Sequence, residues 1–181
     1  KGVETQTRKL MDVCRLRNTP IITFINKLDR DCLPPLDILA DIEDKLQIEC
    51  SPLSWPIGMG KRFKGVYNIY DKKLHLFTSG KSKRSAEGLV IEDLSDPLLD
   101  ELLESQAVEL RDEIELLEGA ANPFDHKEFL KASQTPVFFG SAINNFGVKE
   151  LLDAFIEIAP APVPRPTTTR QVMPDEDDFS G

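Results

Sequence analysis

Thr19-Pro20-Ile21-Ile22-Thr23-Phe24-Ile25-Asn26-Lys27-Leu28-Asp29-Arg30 is an apolar, β-branched run that breaks off in Asn-Lys-Leu-Asp. Such a run, bounded by a proline and by polar residues, predicts a buried strand over residues 21–25 in a sheet covered on both faces. Ligands of open parallel sheets bind just beyond the carboxyl ends of strands, where residues 26–29 fall. The side chains there suit a guanine ring. Asp29 can accept from two adjacent ring-edge N–H donors, as a carboxylate accepts a forked donor pair. Asn26 can tie the loop together and reach an acceptor on the base. The alkyl stem of Lys27 can lie across the ring face with its charge in water.

Working outward from this stretch, residues 2–17 carry Val3, Thr7, Leu10 and Cys14 at helical spacing and read as an amphipathic helix. Asn18-Thr19-Pro20 ends it. Pro34-Pro35 opens a second helix with Leu39, Ile42 and Leu46 on one face. From about Cys50 the texture changes to short segments punctuated by Pro and Gly. Residues 63–70 and 74–78 predict a β-hairpin turning at Asp71-Lys72-Lys73. A polar loop over 79–88 and a short strand over 89–92 follow. One long helix capped by Ser95 and ended by Gly119 comes next, with Leu99, Leu103, Leu110, Ile114 and Leu117 as its apolar face. Asp125 and Glu128 fit a capping box. The middle region, 51–133, therefore reads as a small α+β subdomain.

At Thr135 the opening pattern returns. Thr135-Pro136-Val137-Phe138-Phe139 is a second apolar strand, and it ends in Gly140-Ser141-Ala142. Small side chains let backbone N–H groups approach a ligand, and the Ala142 N–H is placed to donate to guanine O6. The plainer reading is a polar strand-end turn beside an unrelated small-residue turn. Val148, Leu151, Leu152, Phe155, Ile156 and Ala159 mark one face of a closing helix. Residues 160–166 read as a stiff polyproline linker into a short acidic segment.

Bulk properties narrow the chemistry. Among 181 residues the net charge of -9 argues against a general nucleic-acid coat or sequence-specific DNA binding. No apolar run approaches the ~20 residues of a membrane span. Cys14, Cys32 and Cys50 form no Cys-x-x-Cys pair, so no zinc site or disulfide framework is indicated, and a reducing cytoplasm fits best. Gly80-Lys81-Ser82 ends like a phosphate-binding loop, but His75 stands at the first glycine position. Gly58-Met59-Gly60 fails the dinucleotide pattern because Phe63 replaces its third glycine. Asp178-Phe179-Ser180-Gly181 lies past the linker and is set aside as a magnesium-side segment. Lys61, Arg62, Lys64, Lys72, Lys73, Lys81, Lys83 and Arg84 make the middle region locally basic, which fits solvated hairpin tips better than RNA contact. His75 reads as a sheet-face residue.

Several segments together resemble translational GTPases of the elongation factor G type. They are Lys1-Gly2-Val3-Glu4-Thr5-Gln6-Thr7-Arg8-Lys9-Leu10, Asn26-Lys27-Leu28-Asp29-Arg30-Asp31, Ser54-Trp55-Pro56-Ile57-Gly58-Met59-Gly60, Phe63-Lys64-Gly65-Val66-Tyr67, Thr135-Pro136-Val137-Phe138-Phe139-Gly140-Ser141-Ala142, Asn145-Phe146-Gly147-Val148 and Ala159-Pro160-Ala161-Pro162. They are most similar to the termination branch of that family. The resemblance implies an α/β fold: the C-terminal half of a P-loop GTPase domain, with parallel strands, flanking helices and an inserted α+β subdomain. It divides the chain into a partial GTPase domain (1–50), the insert (51–133), the last GTPase strand and helix (134–159), and a linker with the start of a β-barrel domain (160–181). It implies that Asn26, Lys27, Leu28, Asp29, Ser141 and Ala142 bind the guanine of GTP or GDP. Mg²⁺ and the catalytic groups would be held by segments of the intact protein outside this sequence. The implied partners are the ribosome, ribosomal stalk proteins and the release factors that read stop codons, whose recycling GTP hydrolysis would drive. Alternatives are an elongation factor G-like role, or a protein-binding module working through the insert.

Overall fold

In the computed structural model, residues 2–76, 89–90, 93–162, 164–166 and 170–176 are described. The organising strand is β7 (Gln134–Phe139), buried along its whole length. It runs parallel to β1 (Thr23–Ile25) on one side and to β2 (Glu49–Pro52) on the other, giving the order β1-β7-β2. The Thr-Pro step explains where the β1 pairing starts. In this register the ladder donor to the Ile21 carbonyl would be residue 136, a proline with no N–H. The Thr135 hydroxyl takes its place, donating to Ile21 O at 2.8 Å. Regular pairing then begins at Thr23↔Val137.

Two expectations change here. The strand around residues 21–25 is half-buried rather than covered on both faces, because β1 is the sheet edge among the described residues. Residues 49–52, which carry no alternating pattern, form a third parallel strand. Its chain turns at Leu53, whose N–H donates to Val137 O at 2.9 Å, and leads straight into an antiparallel sheet. That sheet has the order β3 (Ser54–Ile57), β4 (Gly65–Asn68), β5 (Lys73–Leu76), β6 (Leu89–Val90). Trp55 joins the two sheets. Its ring meets Phe139 edge-on at 5.2 Å, and its indole N–H donates to Glu113 at 2.7 Å. Burial raises the Glu113 carboxyl above its ordinary value, an effect the indole bond partly offsets. The expected hairpin is present with Lys72 at φ 52 in its turn. Residues 77–78, the loop 79–88 and residues 91–92 lie outside the described residues.

Helices α1 (Thr5–Leu16) and α2 (Pro35–Leu46) flank β1. The Arg15 guanidinium reaches the Leu46 carbonyl and, at 2.9 Å, that of Gln47, so a cation satisfies the open end of α2. The single long helix expected after Ser95 is two: α3 (Pro97–Leu103) and α4 (Ser105–Ala120). They break at Glu104, which has φ 56 and ψ -129. The cap is Asp96, accepting from Leu98 N at 2.9 Å, not Ser95. Arg111 holds α4 against α3 through a forked bond to Asp100 at 2.7 and 3.0 Å, and Lys64 donates to the freed Leu103 carbonyl at 3.2 Å. Leu99, Leu103, Ala107 and Leu110 are thereby buried together.

Asp125 caps α5 (His126–Leu130) through Lys127 N at 2.7 Å and Glu128 N at 3.4 Å. The reciprocal half of the expected capping box is made by Gln134, which accepts from Asp125 N at 2.7 Å, while Glu128 bonds Lys131 and Ser133. Helix α6 (Val148–Ile158) buries Glu150 and Ile158; of the apolar face expected, Val148, Leu151 and Ala159 are half-buried while Leu152, Phe155 and Ile156 are exposed. Arg165–Pro166 of the expected linker forms β8, paired with β9 (Gln171–Val172). No helix among the described residues is long and apolar enough to cross a membrane.

Candidate functional site

Strands β1 and β7 are parallel neighbours, so their carboxyl ends open side by side. Loop 26–29 and loop 140–142 meet there by construction of the sheet. The join is one side chain. Asn26 Oδ1 accepts the backbone N–H of Lys27 at 2.7 Å and that of Ala142 at 2.9 Å, across 116 residues of sequence. With its oxygen engaged twice, the amide orientation is set. The Asn26 NH₂, bonded to no described residue, is the donor left for a ligand.

Lys27 has φ 72, a left-handed conformation that reverses the chain so that its exposed side chain and buried Leu28 point apart. Leu28 is fully buried, and its backbone is bonded at both ends. Its N–H donates to Gly140 O at 3.2 Å, and its carbonyl accepts from Gly60 N at 2.9 Å. Asp29, half-buried, accepts the Ser141 hydroxyl at 2.5 Å through Oδ1. Ser141 is itself fully buried and bridged to Phe146 through both backbone groups, at 2.9 and 3.0 Å. Gly140 permits this closure, because a Cβ there would stand 2.1 Å from the Phe146 carbonyl.

All six residues singled out from the sequence, Asn26, Lys27, Leu28, Asp29, Ser141 and Ala142, thus stand at one place. Leu28 is an anchor inside the protein, not a group facing a ligand. The Ala142 N–H, expected to face a base oxygen directly, is bonded to Asn26 in this structure. A base acceptor there has to share that donor or take it over.

Two contributors escaped the sequence reading. Gly58-Met59-Gly60 fails as a dinucleotide fingerprint and enters the resemblance without a role; it is a brace under the loop. Gly60 sits at φ 58, and a Cβ on it would meet Asp31 Oδ1 at 2.2 Å. Asn144, which the sequence does not single out, donates its amide to Ser141 Oγ at 2.9 Å. Their signal was the glycine spacing and the polar turn, which point to backbone geometry without saying what it supports.

Other candidates fall elsewhere. His75 Nδ1 meets Glu150 Oε1 at 2.9 Å, pinning β5 to α6. Burial raises the Glu150 carboxyl, but the His75 bond and the carboxyl's own backbone bond outweigh it, and the group lies below its ordinary value. Of the basic residues, Arg62 pairs with Glu109, Lys64 with Leu103 O and Glu104, and Lys73 with Asp71. Lys81, Lys83, Arg84 and the segments around Gly80 and Asp178 lie outside the described residues. Cys50 is buried and its thiol is pushed up to about 12 by that burial, with Glu43 and Glu49 adding to it. No cluster of His, Cys, Asp and Glu suited to a metal occurs among the described residues.

A trough of about 400 Å³ runs along the open edge of β1, between Met11 and Leu10 of α1, Ile42 of α2 and residues 21–26. The family model described as Elongation factor Tu GTP binding domain matches residues 1–161.

Proposed function

We propose, from the premise that this chain belongs to the Elongation factor Tu GTP binding domain family, that it is the guanine-recognition part of a ribosome-associated GTPase of translation termination, of the peptide chain release factor 3 type. Members of the family are GTPases, its α/β domain binds guanine nucleotide, and Mg²⁺ is typical of it. The observation that carries the site assignment is the Asn26 Oδ1 link to Lys27 N and Ala142 N. It sets one donor, the Asn26 amide, beside one double acceptor, the Asp29 carboxylate, at the mouth of two parallel strands. Guanine presents the complementary set: acceptors at N7 and O6, donors at N1 and N2. Adenine has a donor where guanine has O6, so it is rejected.

Phosphoryl transfer rests on a phosphate loop, a metal and an ordered water. We assign these to other segments of the parent protein. The open β1 edge, its apolar trough and the exposed Leu152, Phe155 and Ile156 of α6 support the docking of further strands and helices of the same domain. This chain alone is expected to show no GTP hydrolysis above buffer. The parent, given GTP and ribosomes halted after peptide release, is expected to accelerate dissociation of the stop-codon-reading factor. Turnover by the isolated chain contradicts the division of labour. Stimulation of translocation, with no effect on factor dissociation, supports an elongation factor G-like role instead.

A further inference from the structure

We infer that Asn144 is a positioning residue for guanine selectivity, acting through the Ser141 hydroxyl on Asp29; this rests on the guanine-site reading above. A serine hydroxyl has one proton to give and two lone pairs to receive with. Here both functions are engaged. Asn144 Nδ2 donates to Ser141 Oγ at 2.9 Å, and Ser141 Oγ donates to Asp29 Oδ1 at 2.5 Å. An amide donor on the oxygen excludes a second donation in that direction and turns the hydroxyl proton toward Asp29. Successive bonds of this kind polarise one another.

The geometry of Asn144 is fixed locally. It ends the 3₁₀ turn Ala142–Asn144, its own N–H donates to Ser141 O at 3.1 Å, and Asn145 follows at φ 58. Ser141, fully buried, cannot turn to water for a replacement partner. The relay therefore holds Oδ1 of Asp29 on the protein side and turns the rest of the carboxylate to the base edge. The group that senses this is the exocyclic amine of guanine, because it is the donor absent from hypoxanthine.

The test is a double-mutant cycle read as the ratio of GDP to inosine diphosphate affinity, by calorimetric titration of this chain at millimolar nucleotide. Asn144→Ala and Ser141→Ala are each expected to lower that ratio about fivefold, as expected for weakening one hydrogen bond to a charged group. The double variant is expected to lower it no further. Asn144→Asp is expected to lower it more than Asn144→Ala, because a carboxylate there competes for the hydroxyl proton and adds a like charge. Penalties that multiply in the double variant, or losses equal for both nucleotides, overturn the role of Asn144 and leave the guanine site standing. A wild-type chain that does not prefer GDP to ADP overturns the guanine reading and this inference with it.

Discussion

Asp29→Asn is expected to move base preference from guanine toward xanthine nucleotides by about 10- to 100-fold, the scale of one good bidentate pair. The direction follows from the Ser141 bond. Ser141 Oγ donates to one oxygen of Asp29 at 2.5 Å, and in the variant only the amide oxygen can accept it. The new NH₂ then faces the base edge. Guanine presents its N2 donors there, so donor meets donor and a bond is lost. Xanthine presents a carbonyl at the same carbon, so donor meets acceptor. Competition between GDP and xanthosine diphosphate on the parent protein reads the shift directly. An unchanged preference contradicts the role given to Asp29.

His75→Ala is expected to cost about 3 kcal/mol of stability, the upper end for leaving a buried acceptor without its hydrogen-bond partner. Glu150 is 7% exposed and His75 is its side-chain partner at 2.9 Å. Truncation strands a carboxylate against β5 and α6. Glu150→Gln, which keeps a hydrogen-bonding oxygen, is expected to cost about 1 kcal/mol. The two also separate by pH. The Glu150 carboxyl lies below its ordinary value of 4.5 in the folded chain. Its contribution is therefore fully present above that value and is lost as pH falls through the lower folded one. Wild-type stability should drop over that acid range more than the stability of Glu150→Gln does. Urea midpoints measured from pH 3 to pH 7 check this, and parallel curves would contradict it.

What could be read from the sequence, and what could not, follows a physical line. The two Thr-Pro strands were legible because each is a contiguous apolar run, and parallel pairing of such runs places their ends together. That the six candidate site residues would come together was legible for the same reason, since they sit at those ends. Strand β2 was not legible: Glu49-Cys50-Ser51-Pro52 has neither alternation nor length, and only pairing with Gln134–Val137 makes it a strand. The break at Glu104 carries no glycine or proline. It is imposed by Arg111, Asp100 and Lys64, which fold α3 onto α4 from outside the break. The exposure of Leu152, Phe155 and Ile156 on α6 was not legible, because helical periodicity tells which residues share a face, not which part of it the fold covers. Likewise Gly60 acts through one hydrogen bond to a distant loop, and Asn144 reaches that loop only through Ser141, which spacing along the chain does not encode.

The central claim is that the loops after β1 and β7 form one guanine-reading unit joined through Asn26. Backbone amide NMR of this chain during titration with GDP, and separately with ADP, tests it most directly. The account predicts concerted shifts at Lys27, Leu28, Asp29, Ser141 and Ala142 with GDP, with Ala142 N–H moving most as its bond to Asn26 is shared with the base, and none of these with ADP. Shifts confined to one loop, or the same shifts with both nucleotides, would contradict it.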